Sequence, residues 1–380
     1  MTETTRLLSD LVTLPSVNPM GRALQGPEIY EHRVTEYLEN YFRSLGVPFE
    51  RQMIAPLREN IVARCDLPGP SRTIVFEVHQ DTVPTDNMTI DPFTPRIEDG
   101  RLYGRGSCDI KGGMAAMLAA FARIVREKPK GATNVVVACC VDEEHTSLGI
   151  KRLAETLKAD MAVVAEPTKL EIVHAHKGLC RWHLIVPGRS CHSSAPEQGV
   201  NAIYRMARIV SAIEKYAQVL SASRRDPLLG PPTMSVGRIE GGTSVNTVPD
   251  QCRIDIDRRI LPGEQPLEAP GQLTAYLRNE AGIDFPFELS PPYTHKHALS
   301  PKKTEELVGR LGKAIDIVKG SHRVEAVPYG TDASTLAEAG IPSVVFGPGD
   351  IAKAHTCDEW VSLAEVEQAS EILYRFACQD

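Results

Sequence analysis

Three short runs in which almost every residue is apolar, Ile74–Val78, Val135–Val141 and Met161–Ala165, constrain this chain most. A strand that alternates apolar and polar residues can leave one face in water, whereas a run without alternation must be covered on both faces. Helical patterns near Glu28–Leu45 and Lys111–Arg126 separate these runs, so residues 1 to about 180 are expected to form an α/β layer, a central sheet flanked by helices. A second strand-rich stretch follows at Arg181–Val186, with a helix over Val200–Tyr216 and strands near Thr233–Ile239 and Gln251–Arg258. The first pattern resumes around Pro291, with a helix from Lys303, the strand Ser343–Phe346 and a terminal helix from Ala364. This order predicts a smaller α+β domain, residues 180–290, inserted into a domain made of residues 1–179 and 291–380.

The bulk properties narrow the function. At 42% hydrophobic, 380 residues can bury the cores of two domains. A net charge of −7 argues against a nucleic-acid or anionic-membrane surface, which would need clustered Lys and Arg, and favours a small molecule or peptide as partner. The nine cysteines are scattered without a CxxC pair, so neither a disulfide framework nor a thiolate zinc site is indicated, and a reducing cytoplasm is expected. Charge within Met1–Leu8 and the lack of any apolar stretch near ~18 residues predict a chain without signal peptide or membrane anchor.

Ligands of open α/β sheets gather at the carboxyl ends of strands, where side chains leave the sheet. His79, Glu143, Glu144 and Glu166 fall at such ends; Asp109 lies in a Gly-rich turn before the helix near Lys111, and His355 follows Ser343–Phe346. A borderline divalent ion such as zinc takes imidazole nitrogen and carboxylate oxygen, usually four donors, with one position open in catalytic sites. Two histidines and three carboxylates suffice for two ions about 3.5–4 Å apart if one carboxylate bridges, and a further carboxylate is then wanted as general base. The adjacent Glu143 and Glu144 can divide those duties. Asp81, two residues after His79, is placed to accept that histidine's other ring N–H and fix its tautomer.

A histidine after a strand is most often structural, and a Glu–Glu pair is most often a solvated loop. Here the combination weighs more, because carboxylates closing an apolar run need partners where they are buried. Gly104, Gly106, Gly112 and Gly113 do not have the GxGxxG spacing of a nucleotide cradle. Cys108 has no His–Asn pairing to make it a nucleophile, and His174 and His176 are read as packing or surface residues rather than ligands.

The segments His79–Pro84, Tyr103–Gly113, Asp142–Glu144, Ala165–Thr168 and Gly347–Gly349 followed by His355 resemble the M20 metallopeptidase family, within it the acetylornithine deacetylase and succinyl-diaminopimelate desuccinylase group. The resemblance covers nearly the whole chain. It implies a zinc-exopeptidase-like catalytic domain with an inserted lid and dimerisation domain, and hence a homodimer. It implies two zinc ions, replaceable by cobalt, with no organic cofactor: His79 and Glu166 on one ion, Glu144 and His355 on the other, Asp109 bridging. Glu143 would be the general acid/base in hydrolysis of an amide, taking a proton from water and returning it to nitrogen. His192, in Gly188–Ser194, would reach a partner subunit's site and stabilise the tetrahedral oxyanion. Asn246 and Arg259 would clamp a substrate carboxylate, and Gly330 and Thr331 would form another substrate-facing loop. His174–Gly178, His192–Pro196 and Phe346–Gly349 look more like the deacetylase branch, which makes an N-acylated amino acid, N-acetyl-L-ornithine, the expected substrate. The desuccinylase and the family's dipeptidases and carboxypeptidases stay open as alternatives. The intact Glu143 speaks against a catalytically dead metal-binding protein.

Overall fold

The computed structural model describes residues 1–69 and 72–379 and divides the chain into two compact units. The first comprises Met1–Ala175, Ser300–Ala326 and Thr331–Asp380; the second comprises His176–Leu299 with Val327–Gly330.

The first unit is built on an eight-stranded sheet in the order Phe49–Ala55, Arg58–Cys65, Asn134–Cys140, Thr73–His79, Met161–Val164, Ser343–Val345, Ile172–His176 and Val324–Val327. The apolar runs occupy its middle: Asn134–Cys140 and Met161–Val164 pair in parallel with Thr73–His79, and all three strands are buried along their whole length. That is the burial such runs demand. Helices Glu3–Val12, His32–Leu45, Gly112–Glu127, Glu305–Lys319 and Leu363–Ala377 contribute to the core around the sheet, where Phe42 meets Phe121 edge-on at 6.0 Å. The helix Gly112–Glu127 is buried without a break from Gly112 to Ala122, and its run of Ala and Met lets it lie close to neighbours.

Strand order positions the site. From Thr73–His79 the chain crosses to Asn134–Cys140 on one side, then returns past Thr73–His79 to Met161–Val164 on the other, from which the remaining strands extend outward. The connections therefore diverge between Thr73–His79 and Met161–Val164, and the crevice beyond the carboxyl ends of two such strands is where open α/β sheets bind ligands. His79 ends the first of these strands, and Glu166 follows the second by two residues.

The second unit has a five-stranded antiparallel sheet in which Thr233–Gly241, Gln251–Ile260, Gly178–Pro187 and Glu288–Leu289 lie side by side, while Thr294–Lys296 also pairs with Gly178–Pro187. Its strands alternate in burial, as one covered face requires. Ile254 stands opposite Leu184 and Ile256 opposite Trp182, and this face forms a core with Met206, Ile209 and Leu273 from the helices Ala202–Ser223 and Ala269–Asn279.

Element boundaries differ from the sequence expectation for identifiable reasons. The helix expected from Glu28 begins at His32, because Tyr30 takes φ +68, outside helical geometry. The helix expected to end at Tyr216 continues to Ser223, with Leu220 buried on its inner side.

Candidate dinuclear metal centre

Two groups of ligand atoms meet at the carboxyl edge of the first unit's sheet. Oxygen and nitrogen atoms of His79, Glu143 and Glu166 lie within 4.8 Å of one another, as do those of Asp109, Glu144 and His355. Asp109 joins the groups: its Oδ1 is 3.2 Å from Nε2 of His79, and its Oδ2 is 3.2 Å from Nε2 of His355. His355 Nε2 also lies 3.1 Å from Oε1 of Glu144. Each oxygen of one carboxylate thus faces a different imidazole, the disposition a bridging ligand needs.

The donor chemistry fits divalent cations. Four carboxylates and two imidazoles crowd into a largely buried space. Burial, reinforced by the charge of Asp109, pushes Glu144 up to about 7 and holds Glu166 well above the usual carboxylate range. His355 is raised to about 11 against the effect of its burial, by the charges of Glu144 and Asp109. Asp109 is held low despite its burial, by hydrogen bonds to His355 and His79. Such a cluster is short of positive charge, which protons supply in part and metal ions would supply fully. The ligands are oxygen and nitrogen with no thiolate, and the His355 side chain is 49% exposed, leaving the site open on that side.

Asp81 holds both halves of the centre. The Nδ1–H of His79 donates to the backbone carbonyl of Asp81 at 3.0 Å, with the carboxylate Oδ1 farther, at 3.5 Å. The Asp81 carboxylate accepts instead from the amides of Glu143 and Glu144, each at 3.1 Å. The residue that orients the histidine therefore also sets the turn carrying the two glutamates.

Residues 75–379 match Peptidase family M20/M25/M40. The chain is 34% identical over 351 residues to the acetylornithine deacetylase of Myxococcus xanthus, covering 90% of each protein. It is 31% identical over 376 residues to that of Pectobacterium atrosepticum, covering 96% of this chain and 94% of the relative. The chain belongs to the M20 family. Solved structures agree on the fold: an M20 family metallo-carboxypeptidase from Sulfolobus solfataricus superposes with a TM-score of 0.80 at 20% identity over 100% of this chain and 99% of that one. A dinuclear metal binding M20 peptidase from Bacillus subtilis superposes with a TM-score of 0.69 at 16% identity over 99% and 96%. As an M20 member the chain is a metal-dependent amidohydrolase.

One residue of this M20 centre escaped the sequence reading. Glu359, fully buried, accepts from the amides of Gly106, Cys108 and Asp109 at 3.0, 2.9 and 2.9 Å and from Arg105 Nη1 at 2.7 Å. It ties down the whole turn that presents Asp109. The signal for it is indirect, since Arg105 is equally buried and an interior guanidinium requires a carboxylate partner that the sequence does not point to. Close backbone approaches explain two motif glycines: a Cβ at Gly106, which has φ +81, would meet Thr82 Cγ2 at 2.7 Å, and one at Gly347 would meet the Glu166 carbonyl oxygen at 2.7 Å.

The remaining expected residues are distributed between the units. Thr331 lies in the first unit, fully buried, its hydroxyl accepting from the Ala333 amide at 3.2 Å. His192, Asn246, Arg259 and Gly330 lie in the second. There His192 is exposed with Nδ1 2.7 Å from Ser194 Oγ, Asn246 accepts from the Ser193 amide through its backbone carbonyl at 3.0 Å, and Arg259 pairs with Asp257 at 2.7 Å. The His192 and Asn246 loops are thus tied to each other, a short bridge between His192 and Thr247 completing the link.

Proposed function

We propose that this chain hydrolyses N-acetyl-L-ornithine to L-ornithine and acetate, with two zinc ions at the carboxyl edge of its main sheet. The observation that carries the reading is Asp109, whose two oxygens face His79 and His355 between two ligand clusters. His79 and Glu166 would hold one ion, Glu144 and His355 the other, with Asp109 between them. The bound pair would polarise the scissile carbonyl and make water acidic enough to be deprotonated near neutral pH. Glu143, whose carboxylate converges on the same site while its amide is fixed by Asp81, takes a proton from the attacking water and delivers it to the departing nitrogen. Asp81 keeps His79 in the tautomer whose Nε2 is free for metal.

The choice of acyl amino acid rests on the curated relatives, acetylornithine deacetylases that align over at least nine-tenths of the chain. We assign the second unit to substrate closure and dimerisation: Thr233–Gly241 is an edge strand with Ile239 56% exposed, a surface able to receive a second copy. In that dimer His192 would stabilise the oxyanion of the partner's site, and Asn246, Arg259, Gly330 and Thr331 would grip the substrate. No helix among the described residues is long and apolar enough to cross a membrane, and the nine free cysteines suit the reducing cytoplasm proposed for it.

The test is hydrolysis of N-acetyl-ornithine, N-succinyl-diaminopimelate, N-acetyl-methionine and a dipeptide by zinc-loaded, cobalt-loaded and chelated protein. Metal-dependent cleavage of N-acetyl-ornithine above the others is expected. Preference for another member would overturn the substrate, and turnover in chelated protein would overturn the metal chemistry.

A further inference from the structure

A buried polar chain leads from the metal centre to residues that no motif contains. Asn18, fully buried, directs both hydrogens of its amide at carboxylates: Nδ2 donates to Asp81 Oδ2 at 2.8 Å and to Asp142 Oδ1 at 3.0 Å. The orientation of that amide is chemically determined. Both carboxylates can only accept, and the amide oxygen is engaged by the Met20 amide at 2.9 Å. Arg58 adds a second donor to the same acceptor, Nη1 lying 2.8 Å from Asp142 Oδ1, while its other side forms a two-point pair with Glu31 through Nε at 2.9 Å and Nη2. The ring of Tyr30 lies 5.0 Å from the guanidinium carbon.

What this chain holds is unusual backbone. Asp142, immediately before the two glutamates, has φ +70, a conformation costly for a residue with a Cβ and sustained only where surroundings impose it. Its carboxylate has four donors, from Asn18, Arg58, Thr146 and, at 3.4 Å, the Leu148 amide. Asp81, on the other side of Asn18, fixes the amides of Glu143 and Glu144 and the ring of His79. Asn18 therefore links the strand end that carries His79 to the turn that carries Glu143 and Glu144, and Arg58 locks that turn to the adjoining strand Arg58–Cys65.

We propose that Asn18 and Arg58 are positioning residues of the metal centre, a clip that sets Glu143 and Glu144 against His79. The inference rests on the metal-centre reading above and extends it to residues that touch neither metal nor substrate. With the clip broken, Asp142 can relax from its strained conformation and the glutamates that follow it turn away from the ligand cluster.

The experiment compares Asn18→Ser, which keeps a single hydroxyl donor, and Arg58→Lys, which keeps the charge without the planar fork, with the unaltered chain. Metal-free protein is titrated with Co²⁺, reading affinity and the visible absorption band, and kcat and KM are measured on N-acetyl-ornithine. Both variants are expected to bind Co²⁺ about 10–100-fold more weakly, the range for residues that orient metal ligands. A changed band and a kcat lowered about tenfold or more at nearly constant KM are expected with it. A lower melting temperature with affinity, band and kcat all unchanged would overturn the proposal and leave the clip a support of the fold alone. If Asn18→Ser does not fold, Arg58→Lys decides by the same readings. Should the unaltered chain bind metal yet cleave no acyl amino acid, the substrate reading fails while the cobalt comparison still decides the clip.

Discussion

Glu143 and Glu144 are neighbours in sequence to which the proposal gives different tasks, and they fall in different groups of candidate ligand atoms. Glu144 faces His355 at 3.1 Å, whereas Glu143 converges with His79 and Glu166. Glu143→Ala is expected to keep two zinc ions while losing about 10²–10⁴-fold in kcat, the share of a general base; metal analysis beside the rate measurement checks this, and loss of an ion would make Glu143 a ligand. Glu359→Gln leaves an amide that can no longer accept from Arg105 and three backbone N–H groups as a carboxylate does, so zinc affinity should fall roughly 10–100-fold on titration. Protonation couples to metal binding with a definite sign. Glu144 at about 7 and His355 at about 11 are both raised in the metal-free protein, so ions must displace protons from them, and zinc affinity should fall as pH drops from 8 to 6. By the same linkage the metal-free fold loses stability as pH rises from the unfolded value of Glu144, 4.5, toward 7, because the folded state binds more protons in that window. Affinity independent of pH would show that these groups are not ligands. At this scale the sequence disclosed the residues whose type and position at strand ends announce metal chemistry. It concealed Glu359, which accepts from the Asp109 amide, and Asn18 and Arg58, which are bonded to the acids Asp81 and Asp142 beside the proposed ligands; as residue types these look like any loop or strand polar group.

Among elements, the central strands matter most because candidate ligands stand at or just beyond their ends. Phe76, fully buried in Thr73–His79, should cost about 3–5 kcal/mol when replaced by Ala, read from denaturant unfolding, since the cavity would open inside a strand covered on both faces. Gly347→Ala should act on function rather than chiefly on stability: its Cβ would collide with the Glu166 carbonyl, displacing that ligand and weakening zinc binding, and unchanged affinity would show that the loop yields. The continuous apolar runs were readable because their burial leaves no alternative to a covered sheet. The helix Glu3–Val12 and the strands Phe49–Ala55 and Arg58–Cys65 were not, the helix for its shortness and the strands because charged residues interrupt them at an antiparallel margin.

For the molecule as a whole, the second unit turns a metal centre into a selective enzyme in this account. A mixed dimer carrying His192→Ala in one subunit and Glu143→Ala in the other should regain part of the activity, because one of its two sites would pair an intact Glu143 with an intact His192. No recovery would confine His192 to its own subunit. The alternation of strand and helix, its interruption and its return are the ground for expecting an inserted domain at residues 180–290, whereas the second compact unit comprises His176–Leu299 with Val327–Gly330. The segment Val327–Gly330, which belongs with the second unit although the chain around it belongs with the first, left no compositional trace. The bridging role proposed for Asp109 joins two ions into one catalytic centre. Its most direct test is calorimetric titration of metal-free protein with Zn²⁺ while N-acetyl-ornithine cleavage is followed at each addition, for the unaltered chain and for Asp109→Ala. Two ions per chain, activity that follows their binding and loss of both in the variant are predicted; a single ion, or an Asp109→Ala protein that still binds two and turns over normally, would contradict the account.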